Sequence, residues 1–215
     1  MLIMKRILCF GDSITWGFDP LNEIRFPEED RWPMILQEIL GSGYRIIEEG
    51  QGGRTIATDD PAEGEKNGIR YIIPCLESHS PLDLVIIMLG TNDCKLKFSY
   101  SSLDIAGEMR RFLEKVVTYN RFHCADGFKI LLVSPPVISD SLKHSRLDEI
   151  FSCGRAKAVS SGLASYYREL ADAFGCSFLD AAQFVKTSEV DGIHLDASAQ
   201  RTLGKVIAEK TLAMI

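Results

Sequence analysis

The stretch Ile7–Thr15 (ILCFGDSIT) decides the fold and points to a reactive group. Four apolar residues stand in succession before Gly11, which is typical of a strand covered on both faces of a sheet. Ser13 would then lie at the C-terminal end of this strand, on the turn into a helix, where open α/β sheets bind their ligands. Its hydroxyl is a candidate nucleophile if the chain supplies a base and oxyanion donors, and otherwise a cap for the helix.

The segment Asp191–His194 (DGIH), just before the last predicted helix, can supply that base. At this spacing a tight turn can bring the Asp191 carboxylate back onto Nδ1 of the imidazole. The contact fixes the tautomer and leaves Nε2 free to accept the serine proton. Taken alone, the spacing is also that of a solvated loop histidine beside a turn aspartate. The other three histidines have no acidic residue at this spacing and are interpreted as surface or helix-end residues: His79, His123 and His144.

Two further apolar strands are predicted to end in polar loops. One leads into Gly90–Asp93 (GTND), where the Asn92 amide can point at a developing oxyanion and Asp93 can brace the loop. The other, Tyr44–Glu49, leads into a glycine-rich loop in which the Gly53 N–H is a second candidate donor, because glycine lets the backbone approach a ligand closely. Each loop alone is an ordinary turn sequence. The prediction therefore depends on the loops and the DGIH segment together.

These blocks resemble those of the SGNH/GDSL hydrolases, in the same order and at similar separations. The wider sequence resembles the arylesterase-like branch of that family, which includes a mycobacterial acyltransferase. The resemblance spans nearly the whole chain, and its segments are Lys5–Gly17 (KRILCFGDSITWG), Ile47–Gly50 (IEEG), Pro81–Asp93 (PLDLVIIMLGTND), Val133–Pro136 (VSPP) and Val190–His194 (VDGIH). It implies a catalytic Ser13, a His194 base oriented by Asp191, and an oxyanion hole made by the N–H groups of Ser13 and Gly53 and the Asn92 side chain.

Two residues depart from the family pattern. Ile14 replaces the usual leucine, a conservative apolar change, and Glu49 stands where the broader family often has asparagine, so the support behind Gly53 is expected to differ. Three neighbours are predicted to support the site or line its pocket: Asp12, Trp16 and Asp93. For Trp16 the alternative is simple packing, since aromatic rings beside turns usually pack.

Composition narrows the function classes. The chain has 215 residues and a net charge of −6 without a basic patch, which argues against nucleic acid and anionic membranes as partners. No apolar stretch approaches the ~20 residues that span a bilayer, and Met1–Arg6 lacks the charge order of a signal peptide. The cysteines are scattered without a C-x-x-C pair, which predicts reduced thiols and a cytoplasmic location. Cys94, beside the GTND loop, is more typical of a packing residue than of a nucleophile.

Alternating strands and helices predict a three-layer α/β/α sandwich with a five-stranded parallel sheet, the flavodoxin-like SGNH hydrolase fold, as a single domain over residues 1–215. The predicted strands are Arg6–Phe10, Tyr44–Glu48, Leu84–Leu89, Lys129–Val133 and Ser177–Leu179. Helices are predicted near Pro33–Leu40, Ile69–Ser78, Leu103–Val117, Arg155–Phe174 and Ser198–Met214. Two charged inserts, Asp19–Arg31 and Ala57–Gly68, are predicted to set specificity, with plain surface loops as the alternative.

The function predicted from these residues is a serine esterase that acts on short-chain carboxylic esters, with water or another alcohol resolving an acyl-enzyme. Carbohydrate acetylesterase, thioesterase and lysophospholipase activities use the same serine chemistry and stay open. A non-catalytic binding module would be marked by a broken block, and a nucleotide binder by a phosphate-loop motif after a strand; the chain has neither mark. No cofactor or metal is expected, because the histidines lack a ligand spacing such as H-E-x-x-H. The resemblance implies a homo-oligomer.

Overall fold

The computed structural model describes residues 4–215 and is built on a five-stranded parallel sheet. All strands, in chain order, are β1 (Lys5–Gly11), β2 (Phe18–Asp19), β3 (Ile24–Arg25), β4 (Tyr44–Gly50), β5 (Leu84–Met88), β6 (Lys129–Ser134) and β7 (Ser177–Asp180). The parallel sheet has the order β4-β1-β5-β6-β7, and β2 and β3 form a separate antiparallel ribbon.

Seven α-helices connect and cover these strands among the described residues. They are α1 (Ser13–Trp16), α2 (Trp32–Leu40), α3 (Gly68–His79), α4 (Ser102–His123), α5 (Asp148–Phe151), α6 (Cys153–Phe174) and α7 (Ala197–Leu212). Among the described residues no helix combines the length and the hydropathy that a membrane span requires.

Two apolar cores lie on opposite faces of the sheet. Helices α3, α4 and α6 cover one face, and α2 and α7 cover the other. Along β1 the side chains alternate between them, with Leu8 and Phe10 in the first core and Ile7 and Cys9 in the second. All four side chains are fully buried, as the uninterrupted apolar run predicts for a central parallel strand. The predicted three-layer sandwich with a five-stranded parallel sheet is therefore confirmed.

The register of the sheet brings the polar loops to one edge. Gly11, at the end of β1, is paired with Gly50 on β4 and with Met88 on β5. Because the three strands run parallel and end at the same level, the residues that follow them converge. Ser13, the glycine loop and the GTND loop are thus placed side by side.

The structure adds elements that the sequence pattern did not predict. The β2–β3 ribbon lies where the first insert begins, and its two-residue strands are too short to give a periodic signal. Helix α5 occupies four residues between β6 and α6. The bounds of the predicted helices differ from the observed ones by a few residues, because caps rather than the apolar pattern set the ends.

Candidate active site

Ser13 is the first residue of α1 and follows directly on the central strand β1. The Asp12 side chain caps this helix by accepting a hydrogen bond of 2.9 Å from the Ile14 N–H. Gly17 ends the helix in the left-handed conformation, so α1 is a single turn. The Ser13 N–H stands at the helix start, where backbone donors have no partner within the helix.

Ser13, His194 and Asp191 form a continuous hydrogen-bonded chain. Nε2 of His194 lies 2.8 Å from Oγ of Ser13, and Nδ1 of His194 lies 2.6 Å from Oδ2 of Asp191. The three residues are 8%, 8% and 6% exposed, respectively, so the hydrogen bonds are shielded from water. With the carboxylate on Nδ1, the imidazole carries its proton there and presents a bare Nε2 to the serine.

The turn between Asp191 and His194 is held by hydrogen bonds from its backbone to the Asp191 side chain. Oδ1 of Asp191 accepts hydrogen bonds of 2.9 Å from the N–H groups of both Ile193 and His194. Gly192 has a φ of +73°, and a Cβ there would clash with the backbone nitrogen of Leu142, so this position requires glycine. The short DGIH segment therefore fixes the carboxylate and the ring relative to each other before any substrate binds.

The charge on Asp191 is stabilised by these same contacts. Burial by itself raises the pKa of the carboxyl group, but the His194 ring and the two backbone N–H groups outweigh it and hold the pKa below its ordinary value. Asp191 is therefore an anion at neutral pH and can stabilise an imidazolium at His194.

The sequence predicts three oxyanion donors, which are the N–H groups of Ser13 and Gly53 and the Asn92 amide. Ser13, Gly53 and Asn92 line one cavity. One N–H of the Asn92 amide donates to the Arg54 carbonyl at 3.1 Å, which leaves the second free for a ligand. Gly53 has a φ of +80°, and its N–H makes no hydrogen bond within residues 4–215.

Two buried side chains fix the position of the glycine loop. The Asp93 carboxylate accepts hydrogen bonds of 3.1 and 3.2 Å from the Ile56 N–H, which ties the loop to the GTND segment. The Arg54 guanidinium donates to the carbonyls of Gly11, at 2.8 Å, and of Glu49, so it bridges the ends of β1 and β4. The expectation that Asp93 braces the GTND loop did not include this contact with the glycine loop. Sequence reasoning also missed Arg54, which lies in a G-G-R-T segment with no recognisable motif.

The profile of the GDSL-like lipase/acylhydrolase family matches residues 9–202 of the chain. The chain belongs to this family. The aryl esterase of M. smegmatis is similar to it, with a TM-score of 0.91 and 40% sequence identity over 98% of this chain and 100% of that one. A carbohydrate acetylesterase from Sinorhizobium meliloti has a TM-score of 0.91 and 39% identity, again over 98% and 100%.

An acetylxylan esterase from Xylanibacter ruminicola is 27% identical over 230 residues, which is 94% of this chain and 42% of that protein. This chain thus spans less than half the length of that relative. The matches confirm the predicted SGNH/GDSL family, its arylesterase-like branch and the class of carboxylic ester hydrolase.

The site of this GDSL hydrolase opens into a cavity of about 680 Å³, which suits a small-molecule substrate. Both predicted inserts contribute, Pro20 and Glu23 from the first and Glu63 from the second. Glu63 accepts a hydrogen bond of 2.8 Å from Lys95, and both residues line the cavity beside Gly53. The second insert is therefore fastened to the site, contrary to the alternative of a plain surface loop.

A third wall of the cavity comes from the segment before α6, which sequence reasoning missed. It contributes Arg146, Leu147, Ile150 and Phe151. Arg146 forms an ion pair of 2.9 Å with Glu23 and so joins this segment to the first insert across the cavity rim. Its length could have indicated a role at the site, because the connection between β6 and α6 is long for a compact domain and such long connections are often functional.

Trp16 does not belong to the described lining of the cavity, which favours the alternative that its ring packs beside the turn over a place in the pocket wall. Its ring lies under the Arg25 guanidinium, 5.4 Å from the ring centroid, and its carbonyl accepts a hydrogen bond from the same side chain. The aromatic wall comes from Phe18, whose ring centroid is 4.3 Å from that of His194. The turn at Gly17, ending a single-turn helix, directs the two rings to different surroundings.

Cys94 is fully buried and donates a weak hydrogen bond of 3.4 Å to the Gly90 carbonyl. Burial raises the pKa of its thiol well above the ordinary range, which disfavours the nucleophilic thiolate. The contact supports the interpretation of Cys94 as a packing residue. His79 is the last residue of α3, as a helix-end histidine should be, but its Nε2 also lies 2.7 Å from Oε1 of Glu49, a contact that sequence spacing did not indicate.

Asp93→Asn is expected to flatten the dependence of stability on pH. Burial, with the nearby Glu108 and Asp12 carboxylates, raises the pKa of Asp93 to about 7, whereas an aspartate in an unfolded chain has a pKa of about 3.9. Between these values the folded protein keeps a proton that the unfolded chain has lost, so the free energy of unfolding falls as pH rises. The wild-type loss is on the order of 4 kcal/mol across the window.

The asparagine side chain keeps an oxygen for the Ile56 N–H but carries no charge, so this loss should be absent in the variant. Urea unfolding at a series of pH values from about 4 to about 7 measures the two slopes. A residual slope of the same sign is expected from Asp12, because burial raises its pKa to about 6. Identical slopes in wild type and Asp93→Asn would contradict the assignment.

Proposed function

We propose that this GDSL hydrolase is a serine esterase that cleaves short-chain carboxylic esters through an acyl-enzyme on Ser13. The observation that carries the proposal is the hydrogen-bonded chain from Asp191 through His194 to Ser13, with distances of 2.6 and 2.8 Å. Each group already has the contact that its chemical role needs, with the serine on the base and the base on its orienting carboxylate.

In the first half-reaction, Nε2 of His194 takes the Ser13 hydroxyl proton as Oγ attacks the ester carbonyl carbon. The carbonyl oxygen becomes an oxyanion that accepts hydrogen bonds from the N–H groups of Ser13 and Gly53 and from the Asn92 amide. The tetrahedral intermediate collapses, the bond to the alcohol oxygen breaks, and the alcohol leaves with the proton from His194. Asp191 stays ionised throughout and stabilises the imidazolium.

In the second half-reaction, a water gives its proton to His194 and attacks the acyl-enzyme carbonyl, which releases the carboxylic acid and restores Ser13. An alcohol in place of water would give a new ester, and this is the acyl transfer that we propose as a side activity. The apolar wall of the cavity, formed by Phe18, Leu147, Ile150 and Phe151, supports it because such a wall holds an alcohol better than water.

A carbohydrate acetylesterase is the second candidate function. Two similar proteins carry that activity in their names, a carbohydrate acetylesterase and an acetylxylan esterase. The charged cavity rim of Glu23, Arg146 and Glu63 also offers hydrogen-bonding partners for a hydroxyl-rich alcohol. The acyl-enzyme chemistry is the same, so this candidate differs only in the alcohol that leaves.

A substrate panel tests both candidates. We expect p-nitrophenyl acetate and butyrate to be cleaved with a kcat/KM at least about tenfold above that of the octanoate, because an acyl chain too long for the cavity clashes with its walls in the transition state. Acetylated xylo-oligosaccharides, acetyl-coenzyme A and a lysophospholipid complete the panel. A preference for the oligosaccharide over all aryl esters would favour the second candidate, and a preference for long chains or thioesters would contradict both.

Asn92→Ala is expected to lower kcat by a factor on the order of 10²–10³ while KM changes little, because the amide acts on charge that develops in the transition state. The control is Asn22→Ala, the same side-chain change at an exposed residue outside the described cavity lining. Both variants should keep the wild-type melting temperature within a few degrees. Turnover of Asn92→Ala close to wild type would remove Asn92 from the oxyanion hole.

We propose a single domain over residues 1–215, a cytoplasmic location, and a homo-oligomer whose contacts narrow the site. Light scattering at micromolar concentration tests the oligomer, and a monomer there would refute it.

A further inference from the structure

A second cluster of reactive side chains lies behind the glycine loop. It consists of Glu49, near the end of the edge strand β4, with Cys75 and His79 on the facing helix α3. The two helical residues are four positions apart, so they project from one face of the helix. One carboxylate oxygen, the Sγ and one ring nitrogen all lie within 4.8 Å of one another, and Nε2 of His79 is 2.7 Å from Oε1 of Glu49.

We propose that Glu49, Cys75 and His79 bind a divalent cation of the Zn²⁺ class, in a site separate from the serine chemistry. A thiolate, an imidazole and a carboxylate form the mixed donor set that Zn²⁺ accepts, and three protein ligands leave a fourth tetrahedral position for water. On binding, the His79 nitrogen that contacts Glu49 becomes a lone-pair donor to the cation with the ring proton on its other nitrogen, and the Cys75 thiol proton passes to solvent.

The surroundings of the cluster suit a site that ions can enter. Cys75 is 1% exposed, whereas the side chains of His79 and Glu49 are 27% and 18% exposed, so the cluster is open on one side. The Tyr71 hydroxyl donates to Oε2 of Glu49 at 3.3 Å and would orient the carboxylate from behind, as outer partners of metal ligands do.

The guanidinium of Arg54 is a fixed cation near the cluster, and it lies over the Tyr71 ring at 5.4 Å from its centroid. It donates a hydrogen bond to the backbone carbonyl of Glu49, so the Glu49 carboxylate is available to the other residues of the cluster. Its charge opposes a second cation, so we expect a dissociation constant on the order of micromolar, weaker than in closed four-ligand zinc sites.

Binding of a cation at this cluster would affect the glycine loop, which carries Gly53 and Arg54. A cation at Glu49 repels the Arg54 guanidinium, and the Arg54 carbonyl accepts the hydrogen bond from Asn92 at 3.1 Å. We therefore expect occupancy to lower turnover of p-nitrophenyl acetate. The cluster also accounts for one of the two departures from the family pattern, because an asparagine at position 49 would supply a neutral ligand in place of a carboxylate.

The test is a titration of the full-length, reduced protein with Co²⁺, whose thiolate complexes absorb in the near ultraviolet, followed by displacement with Zn²⁺. We expect one Co²⁺ per chain with a thiolate band. Cys75→Ser should abolish the band, and His79→Asn and Glu49→Gln should each weaken binding about tenfold or more. The matched control is Cys124→Ser, which removes another cysteine that lies outside the cluster. Without metal, Cys75→Ser, His79→Asn and Cys124→Ser should keep wild-type turnover.

A folded wild type without a thiolate band, or a band that persists in Cys75→Ser, would overturn the site. If Cys75→Ser does not fold, Glu49→Gln and His79→Asn decide, since both change side chains that are partly exposed. Turnover that stays constant as Zn²⁺ saturates the wild type would overturn the proposed coupling between the cation cluster and the glycine loop. Because binding is read by absorption, a failure of the esterase proposal would leave this result interpretable.

Discussion

Ser13→Ala is expected to lower the turnover of p-nitrophenyl acetate by about 10⁶-fold, because no acyl-enzyme can form without Oγ. His194 and Asp191 contribute to the rate only together with that nucleophile. The Ser13 side chain makes its hydrogen bond to His194, so alanine leaves the fold intact. The same variant should lose the single adduct that a fluorophosphonate forms with wild type, as read by intact mass.

The matched control is Ser145→Ala, because Ser145 lines the same cavity and its hydroxyl accepts a hydrogen bond from the Leu147 N–H instead of a contact with His194. Ser145→Ala should keep the adduct and most of the turnover. His194→Ala should match Ser13→Ala in rate, since the base and the nucleophile are needed together. An adduct that persists in Ser13→Ala would move the nucleophile elsewhere and contradict the proposed function.

The sheet could be predicted from the sequence because the apolar pattern of each strand lies within a few consecutive residues. The apolar runs of β1 and β5 are buried on both faces, so they carry an unbroken signal, and the loops that follow parallel strands must meet at one edge. The DGIH turn is local as well, since its geometry is set within four residues. These features needed no knowledge of distant contacts.

The remaining parts of the site depend on contacts that no spacing reveals. Arg54 joins the ends of two strands, and Gln200 joins α1 to α2 by bonding the Ile14 carbonyl and the Trp32 N–H, each at 3.0 Å. Both side chains are polar and nearly fully buried, which composition alone would place on the surface. Their role follows from unpaired backbone groups at helix and strand ends, which exist only once the chain is folded.

The side chains that line the cavity are harder to predict from the sequence than the hydrogen-bonded residues of the site. Nearness to Ser13 in sequence leaves Trp16 either in the pocket wall or simply packed beside the turn, and the turn at Gly17 places Phe18 in the cavity lining. The pairing of Glu49 with His79 joins positions thirty residues apart. The conformation of the loops decides which side chains line a cavity. That conformation depends on long-range contacts such as the Glu23–Arg146 ion pair.

Asp191→Asn is expected to reduce kcat by about 10⁴-fold with little change in KM or in melting temperature. The asparagine oxygen can take the place of Oδ1 and keep the hydrogen bonds from the Ile193 and His194 N–H groups, so the turn survives. Its amide nitrogen then faces Nδ1 of His194, which must become the acceptor. The ring proton moves to Nε2, and the nitrogen that should accept the Ser13 proton now carries one.

The control for this prediction is Asp180→Asn, the same chemical change at an aspartate that caps the residues after β7 and lies outside the described cavity lining. It should leave turnover unchanged. Fluorophosphonate labelling separates the two roles of Asp191, because labelling of Ser13 needs the same base. Labelling of Asp191→Asn should slow by about the same factor as kcat if the tautomer is the cause. Turnover within tenfold of wild type would show that His194 holds its tautomer without Asp191, and the serine–histidine pair alone would then have to carry the chemistry.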